Sequence, residues 1–342
     1  MSLKIVIPMA GWGTRMRPHT WSRPKPLISV AGKTSLAHLL DMFATLPNPQ
    51  NAEYVFIIGP YLGEQQIPAY MRVNYPNLKV HYVVQPVMRG QSDALYLARE
   101  HLTGPVIMAF SDTLIETDFS FLSNEQADGV AWVKPVPDPR RFGVVQVNSK
   151  GWVTHLIEKP QSLDNGLAVV GCYYFNSGEA LVSAIEEQFQ RGVQIKGEFF
   201  LVDAINILLE RGAKIRTQQV DIWLDTGTLE ATLETNRYLL EHGRDNTSEA
   251  RKRKSVKVIS PVFVHPTAEI TNSTIGPHAS IGAGCKINDS RIENSILEDG
   301  AQVGAAVLGG SMLGRQAKVQ GSGTEGHPTA ANIGDDSSVI YL

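Results

Sequence analysis

Apolar runs and amphipathic segments alternate along residues 1 to about 242. Short apolar runs bounded by glycine, proline or polar residues predict buried strands, and apolar residues three or four positions apart predict helices. We predict strands over Lys4–Pro8, Tyr54–Ile58, Lys79–Val84, Val106–Phe110, Val130–Val133 and Val169–Phe175. We predict helices over Ser35–Thr45, Ser92–His101, Glu179–Gln190 and Thr228–His242. Strands that alternate with helices indicate an α/β domain with a mainly parallel sheet over residues 1–242.

A second pattern, with a shorter period, occupies residues 258–342. One aliphatic residue recurs at about every fifth or sixth position, with glycine, small or polar residues between them. These aliphatic residues are Val264, Ile270, Ile275, Ile281, Ile287, Ile292, Val303, Leu308, Leu313 and Val319. The period is typical of a hexapeptide-repeat β-helix, whose stacked coils bury one aliphatic side chain from each short strand.

A polar and charged stretch, residues 243–257, separates the two patterns. We interpret it as a linker between the two domains. Its basic run, Arg251–Lys254, is more typical of a solvated segment than of a binding patch.

The composition argues against several classes of function. The chain has 342 residues, a formal net charge of −3 and a pI near 6.3, so it lacks the excess positive charge that attracts nucleic acid or anionic membranes. It begins in a strand-like run without the pattern of a signal peptide, and no apolar run approaches the ~20 residues that span a bilayer. Cys172 and Cys285 stand in apolar or glycine-rich surroundings, as reduced core thiols do. We expect a soluble, cytoplasmic protein that binds neither nucleic acid nor membrane.

The first predicted strand opens onto a glycine-containing loop, Ala10-Gly11-Trp12-Gly13-Thr14-Arg15. Glycines let backbone N–H groups approach an anion, and Arg15 and Lys25 add positive charge, so the loop favours a phosphate-rich ligand. It matches neither the P-loop nor the dinucleotide fingerprint. A tight strand-to-helix turn with surface cations is the alternative explanation.

Two further segments place polar side chains directly after apolar strands. Gln85 follows the third predicted strand, and a glutamine amide can offer a donor and an acceptor side by side, which matches the edge of a pyrimidine. Asp112 follows the fourth, and ligands collect at the carboxyl edge of parallel strands, where a carboxylate can hold a metal ion. As alternatives, Ser111-Asp112-Thr113 would serve as a cap, and Asp93 would only favour the start of a helix.

The chain resembles a known family. Gly11-x-Gly13-Thr14-Arg15, Pro18, Thr20, Pro24-Lys25-Pro26-Leu27 and Val30-x-Gly32-Lys33 look like the signature of the nucleoside-diphosphate-sugar pyrophosphorylases, or sugar-1-phosphate nucleotidyltransferases. The likeness extends to the longer glucose-1-phosphate thymidylyltransferases, with uridylyltransferases next. It implies a Rossmann-like α/β nucleotidyltransferase domain followed by a left-handed β-helix. One departure is Trp12, because family members usually have Gly-Gly before Gly-Thr-Arg.

The resemblance also implies roles for individual residues, motif by motif. Arg15 and Lys25 are the implied catalytic cations, and Ala10, Gly11, Gly13, Thr14, Gln85 and Gly90 the implied nucleotide-binding residues. Gly143, Glu158, Lys159 and Gly171 are the implied sugar-phosphate-binding residues, while Asp112 and Asp225 are the implied ligands of Mg²⁺. The segment Gly197–Asn206 matches as well, although Asp203 would there serve only to orient the start of a helix.

The implied reaction joins a sugar 1-phosphate, in the first place glucose 1-phosphate, to dTTP or UTP with release of pyrophosphate. We expect the enzyme to be a homo-oligomer. Two alternatives remain open. The departures at Trp12 and Ser111 are compatible with an inactive nucleotide-sugar sensor, and His265, His278 and His327 are available to a β-helix that transfers acyl groups.

Overall fold

A computed structural model describes residues 2–323 and 325–341 and divides them into two compact units. The α/β unit contains Leu39–Trp223 together with the N-terminal segment that ends at Gly11. The β-helix unit contains Trp12–His38, here called the N-terminal loop, together with the chain from Leu224 onward. Within the described residues, no helix has the length and apolar character needed to cross a membrane.

The bounds of the elements follow in chain order. The strands are β1 (Lys4–Met9), β2 (Ser29–Val30), β3 (Lys33–Thr34), β4 (Glu53–Ile58), β5 (Lys79–Val84), β6 (Val106–Ala109), β7 (Thr113–Ile115), β8 (Gly129–Pro135), β9 (Gly143–Val147), β10 (Val153–Glu158), β11 (Leu167–Phe175), β12 (Ile215–Gln219), β13 (Trp223–Asp225), β14 (Val256–Val258), β15 (Val262–Val264), β16 (Glu269–Thr271), β17 (Ser273–Ile275), β18 (Ala279–Ile281), β19 (Lys286–Asn288), β20 (Arg291–Glu293), β21 (Ile296–Leu297), β22 (Gln302–Gly304), β23 (Val307–Gly309), β24 (Met312–Leu313), β25 (Lys318–Gln320), β26 (Asn332–Ile333) and β27 (Ser338–Ile340). The α-helices are α1 (Ser35–Met42), α2 (Leu62–Asn74), α3 (Gln91–Leu97), α4 (Gly178–Arg191), α5 (Leu201–Glu210), α6 (Leu229–Leu239) and α7 (Thr247–Ala250).

The sheet of the α/β unit is mixed. Its strands follow the order β10-β9-β11-β6-β1-β4-β5, and β8 joins both β11 and β12. The half formed by β6, β1, β4 and β5 is parallel, whereas β11 runs antiparallel to β6, β8 and β9. The α/β class is confirmed, and the parallel half carries the carboxyl ends of β1, β5 and β6 on one edge.

All six predicted strands and all four predicted helices exist, with ends that differ by a few residues. Helix α2 of the α/β unit was not predicted, and α5 was expected only as a helix start at Asp203. The first contains Pro68 and is largely polar, and the second is a short apolar run that periodicity alone does not distinguish from a buried strand. Tertiary packing stabilises both helices, since Ile67 is buried on α2 and Ile205 is buried on α5.

Residues 256–340 of the β-helix unit form three parallel sheets, ordered β14-β17-β20-β23, β15-β18-β21-β24-β26 and β16-β19-β22-β25-β27. Every predicted inward residue, from Val264 to Val319, is buried. Successive coils stack in register, for example Ile270 on Ile287 and Ile287 on Val303. These sheets are consistent with the left-handed β-helix that the family resemblance implies.

The stretch predicted as a linker is an ordered part of this unit. Helix α7 lies within it, and Ala250 is buried in the core of the β-helix. Nearby, Asn246 exchanges side-chain hydrogen bonds with the backbone of Val264, and Arg253 donates to the carbonyls of Ala268 and His265. The polar composition that predicted a linker serves instead to satisfy backbone groups at the first coil.

The boundary between the two units also differs from the predicted boundary at residue 242. The N-terminal loop and α6 group with the β-helix. Met16 and Ile28 of the loop form a small apolar core with Ile296 and Met312 of the β-helix, against which Leu233 of α6 packs. A sequence pattern cannot reveal this, because the residues that meet are more than 200 positions apart.

Candidate active site

Three predicted site residues stand just beyond the carboxyl ends of parallel strands in the α/β unit. Ala10 follows β1, Gln85 follows β5, and Asp112 lies shortly after β6. Ala10 and Gln85 are buried, and Asp112 is partly exposed. This edge is where open α/β sheets bind ligands.

The Gln85 side chain has one end of its amide already engaged. Its Nε2 donates to Asp93 Oδ2 at 3.1 Å and to the carbonyl of Gly90 at 3.3 Å. Arg89 Nη2 lies 2.7 Å from Asp93 Oδ1, so the Asp93 side chain contacts both Arg89 and the Gln85 amide. The contacts fix the orientation of the amide and leave its carbonyl Oε1 for a ligand. The sequence-based expectation that Gln85 presents both donor and acceptor is therefore corrected: it presents an acceptor.

Only glycine fits the backbone conformation and the space at position 90. Its φ is 104°, and a Cβ here would overlap the backbone of Phe199. The two segments are joined by hydrogen bonds from Phe199 N to Arg89 O (2.9 Å) and from Ser92 N to Phe199 O (3.0 Å). The segment Gly197–Asn206 thus supports the loop that contains the predicted base-reading residues.

Glu158 and Lys159 come together with Gly143 at the ends of β10 and β9. Lys159 Nζ lies 3.6 Å from Glu158 Oε1 and 5.0 Å above the ring centroid of Phe200. A Cβ added to Gly143 would lie 3.2 Å from Glu158 Oε2, so the glycine gives the carboxylate room. Lys159 also has a φ of 48°, an uncommon conformation for a non-glycine residue that clusters at functional sites.

A second carboxyl, Asp203 on the first turn of α5, belongs to the same group. Burial raises the pKa of Glu158, Lys159 opposes this, and the negative charge of Asp203 raises it further. Burial likewise raises the pKa of Asp203, whose Oδ2 is buried without a hydrogen-bond partner. The sequence analysis gave Asp203 only a role at the helix start. Its unused oxygen, on a carboxyl that interacts electrostatically with Glu158, makes it a candidate for binding a hydroxyl group.

Gly171 lies in the middle of β11, buried against Phe110. Its carbonyl accepts a hydrogen bond from Phe110 N at 2.9 Å, and a Cβ here would overlap the phenyl ring. Close packing against Phe110 therefore explains the glycine at position 171, independently of the sugar contact that the resemblance implies.

In the β-helix unit, the N-terminal loop folds Gly13 against Lys25. Gly13 has a φ of 60° and precedes a short 3₁₀ helix, Thr14–Met16. A Cβ at Gly13 would lie 2.8 Å from Thr20 Cγ2 and 3.3 Å from Lys25 Cβ, and Thr20 Oγ1 donates to Gly13 O at 2.8 Å. The Gly-Thr-Arg and Pro-Lys-Pro motifs are therefore adjacent in space.

The loop also exposes the residues that would meet a ligand. Arg15 and Thr14 are exposed, and Lys25 begins a second 3₁₀ helix, Lys25–Leu27, between two prolines. Trp12 is 55% exposed, so the unusual indole in the motif fills no core.

Asp225 ends β13 in the β-helix unit. Its Oδ1 accepts a hydrogen bond from Gly227 N at 2.6 Å, and its carbonyl accepts one from Thr235 Oγ1 at 2.8 Å. Within residues 2–323 and 325–341, no three His, Cys, Asp or Glu side chains cluster as a metal-binding group. Asp112 and Asp225 are nevertheless hard oxygen donors of the kind that Mg²⁺ prefers, and Mg²⁺ typically takes one or two carboxylates and completes its shell with water and substrate phosphates.

Comparison with known proteins identifies the family. Residues 4–242 match the nucleotidyl transferase family. A glucose-1-phosphate thymidylyltransferase of Streptomyces griseus is 27% identical over 362 residues, covering 98% of each chain. Another, of Streptomyces antibioticus, is 29% identical over 98% of this chain and 99% of its own.

The fold has a counterpart among solved structures. The crystal structure of a UDP-glucose pyrophosphorylase complexed with UDP-glucose has a TM-score of 0.59 and 19% identity, covering 71% of this chain and 100% of that one. Because the family match spans more than half of the sequence, the resemblance seen in the motifs is confirmed, and this chain belongs to the nucleotidyl transferase family.

Proposed function

We propose that this protein joins a sugar 1-phosphate to a pyrimidine nucleoside triphosphate and releases pyrophosphate. The observation that carries the proposal is the group formed by Glu158, Lys159 and Asp203. Two carboxyls of raised pKa suit sugar hydroxyls, and an ammonium group 3.6 Å from one of them suits a phosphate. Glucose 1-phosphate is the proposed sugar substrate, as for the Streptomyces relatives.

In the proposed reaction, a phosphate oxygen of the sugar 1-phosphate attacks the α-phosphorus in line, and the bond to pyrophosphate breaks. Lys159 holds the attacking phosphate, Lys25 stabilises charge on the α-phosphate, and Arg15 neutralises the leaving pyrophosphate. Such reactions depend on positioning and charge neutralisation rather than on covalent catalysis. Nucleotidyltransferases generally use a divalent metal ion, and we propose that Asp112 and Asp225 hold Mg²⁺, which neutralises the phosphates when bound.

Gln85 supports a uracil or thymine base. With its Nε2 held by Asp93 and Gly90, its Oε1 can accept the N3–H of either base. Cytosine has no proton on N3, so it would face the same oxygen with a lone pair. Both dTTP and UTP fit this criterion.

The proposal is tested by measuring pyrophosphate release with Mg²⁺ and a panel of triphosphates and sugar 1-phosphates. We expect release with dTTP or UTP only when a sugar 1-phosphate is present, and little with CTP, ATP or GTP. If no pair of substrates releases pyrophosphate while either one binds, the alternative of an inactive sensor replaces this proposal.

Acyl transfer by the β-helix has less support. His278 Nε2 is hydrogen-bonded to Glu241 at 2.8 Å, and His265 Nδ1 to Thr267 at 2.9 Å. Both histidines serve local structure. Consumption of acetyl-CoA with an amino-sugar 1-phosphate would support acyl transfer. A homo-oligomeric state and a cytoplasmic location remain predictions, and light scattering would test the first.

A further inference from the structure

A buried ion-pair network joins the N-terminal loop to the β-helix. Arg23 lies two residues before Lys25, and its side chain is only 4% exposed. Its Nη1 is 3.0 Å from Glu298 Oε2, and its Nη2 is 3.0 Å from Asp335 Oδ1. The two carboxylates are 2% and 5% exposed and come from different coils of the β-helix. All three charges therefore lie away from water.

Each carboxylate also binds the loop on one side of Lys25. Asp335 Oδ2 accepts a hydrogen bond from Ser22 Oγ at 2.7 Å. Glu298 accepts two from Ser29, at 2.8 Å from the backbone N and 2.8 Å from Oγ. The segment that contains Lys25 is consequently fastened at both ends to side chains of the β-helix.

Further contacts extend this attachment toward Gly13. His19 Nε2 donates to Asn332 Oδ1 at 2.7 Å. A Cβ on Gly334 would lie 3.0 Å from Pro18, so the last coil approaches the loop closely. The loop segment from Pro18 to Ser29 thus packs against the coils that contain strands β21 and β26, which end at Leu297 and Ile333.

Stability alone does not explain a network of this kind. The desolvation cost of a buried ion pair can equal its attraction, and apolar replacements are often as stable, whereas such pairs can determine one specific geometry. An exposed pair on the same β-helix, Arg291 with Glu293, illustrates the ordinary case, where both charges remain hydrated.

We propose that Arg23, Glu298 and Asp335 are positioning residues that hold Lys25 in the geometry required by the triphosphate. The β-helix is then a structural part of nucleotide binding. The inference rests on the proposed function only in assigning Lys25 to the triphosphate. The fastening of the loop can be tested without any substrate.

The main test is Glu298→Gln, which keeps the shape of the side chain but removes its charge. Because a small misplacement of a catalytic group can cost about 100-fold, we expect the KM for the triphosphate to rise and kcat to fall, together by roughly 10- to 100-fold in kcat/KM. The KM for the sugar 1-phosphate should change less than about twofold, since none of its proposed ligands belongs to this network.

Three other variants separate positioning from folding. Ile292→Val removes a methyl group from the β-helix core, and Glu293→Gln removes a partly exposed charge from the same strand; both should keep the triphosphate KM. The double variant Arg23→Gln with Glu298→Gln removes opposite charges together and leaves Asp335 paired with Arg315, whose Nη2 lies 3.0 Å from Asp335 Oδ2. We expect it to melt at a higher temperature than Glu298→Gln and still to bind triphosphate weakly.

Hydrogen exchange of the substrate-free protein gives the independent readout. In Glu298→Gln, we expect faster exchange of amides in residues 17–30, with the α/β unit unchanged. If Glu298→Gln lowers only the melting temperature, as Ile292→Val does, or if exchange in this segment is unchanged, the positioning role is wrong. If the wild-type protein fails to release pyrophosphate but the exchange responds, the proposed reaction fails while the fastening of the loop stands.

Discussion

The two lysines assigned to phosphate groups are held in contrasting ways. Lys159 is supported by its own surroundings: its N–H donates to Phe142 O at 3.0 Å, and its Nζ lies near Glu158. The loop that contains Lys25 is supported by side chains far along the chain, such as Glu298, which is 269 residues beyond Ser29. In the proposed reaction, local contacts therefore position one phosphate-binding lysine, whereas the position of the other would depend on the β-helix repeats.

The largest predicted effect concerns the loop cations. Arg15→Ala and Lys25→Ala should each lower turnover by roughly two to three powers of ten, about 2.7–4 kcal/mol of transition-state stabilisation, while the protein stays folded. Steady-state pyrophosphate release and circular dichroism measure the two quantities. Arg17→Ala, at another exposed cation of the same loop, is the control and should change turnover little. Near-normal turnover in both test variants would remove them from the catalytic assignment.

The second prediction concerns the proposed sugar-phosphate site. Glu158→Gln should raise the KM for the sugar 1-phosphate by roughly 10- to 100-fold, because a hydrogen bond to a charged group is worth about 1.5–3 kcal/mol. Burial raises the pKa of Glu158, so in the wild-type protein this KM should also rise as the pH falls through that raised pKa.

The pH profile of the Gln variant should be flat in the same range. Glu186→Gln, at an exposed position of α4, is the matched control. A triphosphate KM that changes as much as the sugar KM would contradict a separate sugar site.

A smaller effect is expected for base selection. Asp93→Asn removes the carboxylate that holds Gln85 Nε2, so the amide can reverse and donate to N3 of cytosine. We expect the ratio of kcat/KM for CTP to that for UTP to rise about tenfold, corresponding to about 1.4 kcal/mol. Asp138→Asn, at an exposed ion pair with Arg140, is the control. An unchanged ratio would mean that Asp93 does not set the amide orientation.

The smallest effect is a pH dependence of stability at the loop. His19 donates from Nε2 to Asn332, so its buried Nδ1, which has no partner, must be the unprotonated nitrogen. Burial lowers the pKa of His19 below 6.5, its usual value. The unfolded state then binds the proton more readily, so this contribution to stability is present above pH 6.5 and is lost as the pH falls through the lowered pKa.

We therefore expect His19→Gln to weaken the decline of the unfolding free energy between pH 7 and pH 5, measured by urea denaturation. His242→Gln, at an exposed histidine, should leave the decline unchanged. Equal slopes in wild type and His19→Gln would show that the loop does not titrate through His19.

The candidate site could be predicted in part. The polar amide after an apolar strand suggested Gln85, and the family resemblance implied Glu158 and Lys159. Gln85 directly follows β5, Glu158 ends β10, and Lys159 comes next. The engaged state of the Gln85 amide could not be predicted, because it depends on Asp93 and Arg89 in three dimensions. Asp203 was underestimated for the same reason: its unused oxygen is defined by burial, which its position at a helix start does not reveal.

Two sequence patterns were sufficient to predict the fold of each domain. Short apolar runs and amphipathic segments specify the α/β class, and the aliphatic repeat specifies the β-helix down to its inward residues, because each coil must bury one regularly spaced apolar side chain. The grouping of the N-terminal loop with the β-helix became apparent only in three dimensions. That grouping depends on Arg23 meeting Glu298 and Asp335, and buried charges need partners that can come from anywhere in the chain.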